Sequence, residues 1–214
     1  MREQIARVFE GKAFLRPLFY GYPGGLRVEL AEPGSSTHQF RTALNKSVEI
    51  CKHVFGPAPE LVVCLRTWVE GSAFAARQSL RKLRALGIHI PKQREIWIST
   101  SDDGYEDEDD WTPPDPPADW VTIAFPIDIT MLEPLLWSAC ATDFNIEPKA
   151  PCSVHLMDLA RGVMALPYDD RGMDIVGPNH ALLSEIFTTY RHYLLGYDME
   201  IMQATFAPEE VAPE

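Results

Sequence analysis

Residues 101 to 119 read SDDGYEDEDDWTPPDPPAD, with nine carboxylates, no base, and Pro113, Pro114, Pro116 and Pro117 at the end of the run. Like charges at that density repel one another, and proline lacks the amide donor that a helix interior or a central strand uses. The stretch is therefore expected to be a long solvated loop, and the fold must be built by the segments on either side of it. Those segments are rich enough in apolar side chains to do so. The 214 residues are 46% hydrophobic and 23% charged, which excludes a disordered chain, a collagen and a coiled-coil repeat. One domain over residues 1–214 is expected, interrupted by the acidic proline-rich loop at 101–119 and frayed from about residue 207, where the sequence becomes APEEVAPE.

The net charge of -12 is unevenly placed. Residues 1–100 hold 15 Lys and Arg against 8 Asp and Glu, whereas residues 101–150 hold Lys149 alone against 13 acids. Opposite in sign to the acidic stretch is ARQSLRKLRALGIHIPKQR at 76–94, which contains no acid. Leu80, Leu83 and Leu86 recur through it at helical spacing and predict an amphipathic helix with a basic face. A strongly acidic protein makes a poor partner for a phosphate backbone, so nucleic acid is not expected as a ligand. The apolar runs fall well short of the roughly 20 residues of a spanning helix, so no membrane partner is expected. Glu3 and Glu10 interrupt what would be the apolar core of an export signal, which makes the cytoplasm the expected location. Cys51, Cys64, Cys140 and Cys152 are dispersed in apolar segments without a CxxC pair, the pattern of reduced, packed cysteines.

Helical periodicity covers residues 3–13 and 38–55, where Phe40, Leu44, Val48, Cys51 and Phe55 fall on one stripe. Between them GLRVEL at 25–30 alternates as a half-buried strand. Strand character returns at 60–68, 95–100 and 120–127. Thr130 with Glu133 has the spacing of a capping box for a helix over 131–142. VHLMDL (154–159) and VMALPY (163–168) flank a tight turn with Gly162, and a further strand starts at MDIVG. Asn179 is placed to cap a helix over 180–195, and Asp198 a short one to about Phe206. Strands first paired with helices and later forming a meander predict an α+β class: a single domain with a mixed, largely antiparallel sheet packed against several helices.

No nucleophile elbow, phosphate-cradling glycine loop or helical zinc motif occurs, and the six histidines are scattered without ligand spacing. No metal, cofactor or catalytic residue is assigned. The most concentrated polar group is Tyr168-Asp169-Asp170-Arg171-Gly172-Met173-Asp174. Its three carboxylates have the chemistry to hold a divalent cation or to divide into acid and base. Turn chemistry accounts for the same residues without a ligand: the aspartates accept turn amides, Gly172 takes the left-handed region, and Arg171 pairs with Asp169 or Asp174. Asp169, Asp170, Arg171, Gly172 and Asp174 are accordingly read as a structural turn.

YDDRGMDIV at 168–176, LFYGYPGGLRVEL at 18–30, WSACATDF at 137–144 and HYLLGYDMEIMQATF at 192–206 together make the chain resemble the bacterial family called domain of unknown function 3885. The sequence departs from that pattern in its acidic insert and at Tyr193 and Leu194, which take the place of a tryptophan-containing segment. The resemblance implies a fold and a bacterial cytoplasmic setting, and it transfers no catalytic residue.

Two classes of function are expected from these features. The first is a non-enzymatic immunity protein that neutralises a cognate toxin, with a nuclease as one form of it. In that reading Asp102, Asp103, Glu106, Asp107, Glu108, Asp109 and Asp110 mimic phosphates on a basic partner, while Tyr105 and Trp111 supply aromatic anchors. The same stretch also fits a solvating linker. The expected partner is that toxin or another basic protein, and the chain is expected to be a monomer or a homodimer. The second class is a metal-dependent or acid-base enzyme centred on Asp169, Asp170 and Asp174, with Glu29 and His155 from neighbouring strands.

Overall fold

The computed structural model describes residues 1–56, 58, 60–68, 74, 78, 80–101 and 118–206. Helix α1 runs over Arg2–Val8 and stops short of residue 13, because Glu10 and Gly11 take φ values of 53° and 76°, which a right-handed helix does not accommodate. A short α2 (Leu18–Gly21) leads into β1 (Leu26–Glu29). Helix α3 (Ser36–Phe55) starts at Ser35, whose side chain accepts from the His38 amide at 3.3 Å. The expected stripe faces inward: Phe40, Leu44, Cys51 and Phe55 are buried and Val48 is half-buried.

Beyond β2 (Leu61–Trp68) the basic stretch departs from expectation. Its described part is a 3₁₀ helix over Leu80–Leu86, ended by Gly87 at φ 78°, and not a longer α-helix. Leu80 and Leu83 are buried, as the three-residue repeat of a 3₁₀ helix requires of an i, i+3 pair. Strands β3 (Glu95–Ser101) and β4 (Ala118–Ile127) pair up to Ser101 and Ala118, so both strands reach into the segment expected as loop. Thr100 fastens that end by donating its hydroxyl to Asp119 at 2.7 Å. Residues 102–117 and 207–214 lie outside the described residues.

Helix α4 (Leu132–Cys140) is not opened by a Thr130 capping box; Asp128 accepts from the Thr130 amide at 2.9 Å and starts a 3₁₀ turn ahead of the helix. Strands β5 (Ser153–Asp158), β6 (Val163–Pro167) and β7 (Gly172–Val176) form the expected meander. The first of its turns is closed by Asp158, which accepts from the Ala160 and Arg161 amides, and by Gly162 at φ 66°. Asn179 caps α5 (His180–Thr189) by accepting from the Leu182 amide at 3.1 Å. The helix ends at Thr189 and not at 195, because the chain turns to run beside β1: Val28 bridges Leu194, and the Leu195 amide donates to the Arg27 carbonyl at 2.9 Å. Helix α6 (Met199–Phe206) follows.

The seven described strands form one sheet in the order β1-β7-β6-β5-β2-β4-β3. The class is α+β, and each of the six pairings among the described strands is antiparallel, with no parallel pair of the kind a mixed sheet contains. Helices α3, α4 and α5 pack on one face against Val63, Leu65, Ile123, Phe125, Leu156 and Ile175, where each fully buried side chain contributes about 2 kcal/mol. On the other face Ile5, Phe9, Ala13, Leu18 and Tyr22 of the N-terminal segment cover Val62, Cys64, Ala124, Met157, Met164 and Val176. All four cysteines are free and buried, and burial pushes the Cys140 and Cys152 thiols up to about 12, which keeps them protonated and inert. Among the described residues no helix is long and apolar enough to cross a membrane.

Candidate functional site

Directly opposed residues of an antiparallel pair point to the same face. On the face covered by the N-terminal segment, the register sets Ser153 of β5, Arg66 of β2, Thr122 of β4 and Trp97 of β3 in one row. His155 and Cys64 share the next row, and Arg27 of β1 stands opposite Asp174 of β7. The N-terminal segment covers the apolar half of this face and leaves the polar half as a cleft of about 430 Å³. Arg16, Arg27, Arg66 and Arg171 line it, together with Ser153 and His155 on the floor and Tyr20, Tyr168, Asp169 and Asp174 on the walls.

At one end the charges are paired. Arg27 donates from Nε to Asp174 Oδ1 at 2.9 Å and from Nη1 to Asp198 Oδ2 at 3.3 Å. Asp174 Oδ2 accepts the Phe19 amide at 3.0 Å, and Asp198 Oδ1 accepts the Tyr20 hydroxyl at 2.8 Å. The guanidinium also lies 4.7 Å from the centre of the Tyr20 ring and 5.0 Å from that of Phe19, a cation-π arrangement that suits a half-buried arginine. Burial pushes the Asp174 carboxyl above the usual carboxylate range, while the hydrogen bond from Arg27 pulls the other way. Burial also raises the Tyr168 phenol, with Asp174 adding to the effect.

The expected turn residues divide between two roles. Asp169 Oδ1 accepts the Arg171 amide at 2.7 Å and Oδ2 accepts Arg171 Nε at 2.7 Å, while Arg171 also reaches Asp143. Asp170 is buried beside them, and burial followed by the Asp169 charge raises its carboxyl. Asp174 is no turn residue: it sits inside β7, in register with Arg27. Gly172 opens β7 without a positive φ; what it supplies is room, since a Cβ there would come within 1.9 Å of the Tyr168 hydroxyl. Among the described residues no group of three or more acids, histidines or cysteines is placed to hold a metal ion.

At the other end of the cleft His155 is 3% exposed, its ring edge-on to Phe14 at 5.2 Å, and its buried Nδ1 has no close hydrogen-bond partner among the described residues, the Cys64 backbone being the polar group that interacts with the ring. Burial, then the charges of Arg66 and Arg16, hold its pKa well below the usual imidazole range. Arg66 stacks between Phe14 and Trp120, 4.7 Å and 4.9 Å from the ring centres, and donates to the Phe14 carbonyl at 3.3 Å. Arg16 reaches over Trp120 from the N-terminal segment at 5.0 Å. Glu29 is exposed at the end of β1 and is not part of the cleft wall. The expected partner-binding residues Asp102, Asp103, Tyr105, Glu106, Asp107, Glu108, Asp109, Asp110 and Trp111 lie outside the described residues.

Sequence reasoning missed Arg16, Arg27, Arg66, Tyr20 and Asp198 as parts of one site. One signal was present: Arg66 interrupts an otherwise apolar strand, LVVCLRTW, that is buried on both faces. An ionised side chain in such a strand needs a partner or a cavity to face. No curated protein and no solved structure matches the chain significantly. The family model described as domain of unknown function (DUF3885) matches residues 1–198, and the chain belongs to that family.

Proposed function

We propose that the protein works by binding and not by catalysis, as a bacterial cytoplasmic immunity protein that neutralises a cognate toxin or another basic protein. The observation that carries the non-catalytic reading is that both carboxylates in the cleft wall are engaged by arginines, Asp174 by Arg27 and Asp169 by Arg171. A carboxylate held in this way is a poor general base and a poor metal ligand. The choice of a basic partner is supported by the acids between Asp102 and Asp110, a run without a base that favours steered association with a positively charged groove. Tyr105 and Trp111 within it are residue types that anchor interfaces. Nucleic acid and membrane surface have no part in this reading, and the working form is a monomer or a homodimer.

A pull-down of the tagged protein from its own cell extract, at low and at high salt, tests it. A basic partner of toxin size, retained at low salt and released at high salt, is the expected result. Replacing the seven acids by Asn and Gln is expected to weaken that capture and to flatten its salt dependence. Capture unchanged by the replacement removes the acidic run from the interface, and no partner at either salt removes the immunity reading. A second reading, an acid-base or metal-dependent enzyme on Asp169, Asp170 and Asp174, is favoured by the raised carboxyl of Asp170. Calorimetric titration with magnesium, calcium, manganese and zinc tests it, and no heat up to about the millimolar range counts against it.

A further inference from the structure

We propose that β3 is a self-association edge, at which a second copy of this chain adds its own β3 antiparallel about a two-fold axis and continues the sheet. The sheet has two edges, and they are finished differently. At β1 the returning chain closes the edge: Val28 bridges Leu194, and the Leu195 amide donates to the Arg27 carbonyl at 2.9 Å. Among the described residues β3 pairs with β4 alone, residue for residue and without a bulge. An open edge is ordinarily blunted by a proline, a lysine, a bulge or extreme shortness. Over its seven residues β3 reads EIWISTS, with neither proline nor lysine, and its one charge, Glu95, is already taken by the N-terminal ammonium at 2.7 Å. Ile96 and Ile98 on it are 39% and 54% exposed.

The sequence of the strand selects a second copy as the occupant. With Ile98 at the axis all seven residues find a place: Ile98 stands opposite itself, Ile96 opposite Thr100, Trp97 opposite Ser99 and Glu95 opposite Ser101, and no like charges meet. Opposed residues share a face, so the exposed isoleucines of both copies meet on the face that carries α3, α4 and α5, and each shields the other from water. Charge fixes the direction. Lys92 and Arg94 precede the strand in the sequence, and Asp102 and Asp103 follow it. Antiparallel pairing sets the basic approach of one copy beside the acidic departure of the other at both ends of the interface, whereas parallel pairing sets like beside like. A foreign strand has no reason to carry this inversion of charge; a second copy carries it by symmetry.

This interface does not depend on the immunity reading, and either can fail without the other. The test is sedimentation velocity of the full chain from about 5 to 500 μM. A strand-to-strand contact is at the small end of specific interfaces, so a monomer–dimer equilibrium with a Kd of roughly 10 to 100 μM is expected. Hydrogen exchange of the β3 amides in the parent chain is expected to slow as the concentration rises through that value. Ile98→Lys and Ile98→Glu, both at an exposed side chain, are each expected to weaken dimerisation by about tenfold or more, because they set like charges opposite each other at the axis. An equimolar mixture of the two variants is expected to restore it, since the facing positions then carry opposite charges. A chain that stays monomeric to about 500 μM overturns the proposal. So does a dimer that Ile98→Lys leaves intact, or one whose formation leaves β3 amide exchange unchanged. A mixture no tighter than the single variants overturns the two-fold register.

Discussion

The two faces of the sheet are built to opposite rules. One is apolar over most of its area, with Thr67 and Asp158 as polar exceptions at strand ends, and is covered by α3, α4 and α5 except along β3, where Ile96 and Ile98 are exposed. The other is apolar only under the N-terminal segment and then turns to Arg27, Arg66, Thr122, Ser153, His155 and Asp174. Buried polar and charged groups on a sheet face stabilise a fold less well than the apolar side chains of equal size that could replace them. Their concentration on one half of one face separates the part of the molecule that holds the fold from the part that lines the cleft.

Breaking the apolar face should have the largest effect. Leu156→Ala, at a fully buried position under the helices, is expected to cost about 3 kcal/mol in urea denaturation, from lost transfer energy and a residual cavity. Asp174→Ala tests the polar half of the other face. It removes a carboxylate that is 1% exposed and leaves Arg27 with Asp198 alone; a loss of about 2 to 3 kcal/mol is expected. The paired replacement Arg27→Met with Asp174→Leu should recover most of that loss, which Leu156→Ala has no means to do. Failure of the pair to recover would place the ion pair among the groups that hold the fold.

The pH dependence sharpens the contrast further. His155 has a folded pKa well below the ordinary 6.5, so the unfolded chain takes up a proton first as the pH falls. Stability is therefore lost as the pH drops below about 6.5 towards the folded value, and this loss should be reduced in His155→Gln. Asp170 and Asp174 act in the opposite sense: their raised carboxyls bind protons in the folded state first, so the strain they carry is relieved as the pH falls from the raised values towards the ordinary 3.8, and no further below it. Thermal melts of the two proteins between pH 5 and 8 separate the histidine from the acids. The smallest effect is expected at the exposed rim, where Arg171→Gln should change stability by no more than about 0.5 kcal/mol in the same urea assay.

Elements with a local cause were legible in the sequence. The stripe through Phe40, Leu44, Cys51 and Phe55, the alternation of Leu26 and Val28, the Asn179 cap and the glycine of the β5–β6 turn each follow from spacing or side-chain chemistry within a few residues. The site was not legible, because its pairings are between distant segments. Arg27 is the polar residue of an alternating strand and reads as solvent-facing; it is half-buried because Asp174 and Asp198, far along the chain, meet it. Asp198 reads as a helix cap for the same reason, since only the folded chain brings Tyr20 and Arg27 to it. Gly172 reads as a turn glycine, whereas its missing Cβ makes room for the hydroxyl of Tyr168. The basic stretch after β2 carries helical spacing, and an i, i+3 leucine pair serves a 3₁₀ helix as well as an α-helix.

The pairing of β1 with β7 joins residues 147 positions apart, as Arg27 and Asp174 are. On the ribosome, β1 and the N-terminal segment emerge long before the strand that receives them, and they wait unpaired until the last hairpin has been synthesised. Closing so long a loop is slow, and the exposed edge of a half-made sheet is prone to associate with its neighbours in the meantime. A chain truncated ahead of residue 172 loses the seat of its own first strand. Chaperone dependence during synthesis, and misassembly between nascent copies, are where that arrangement should be felt first.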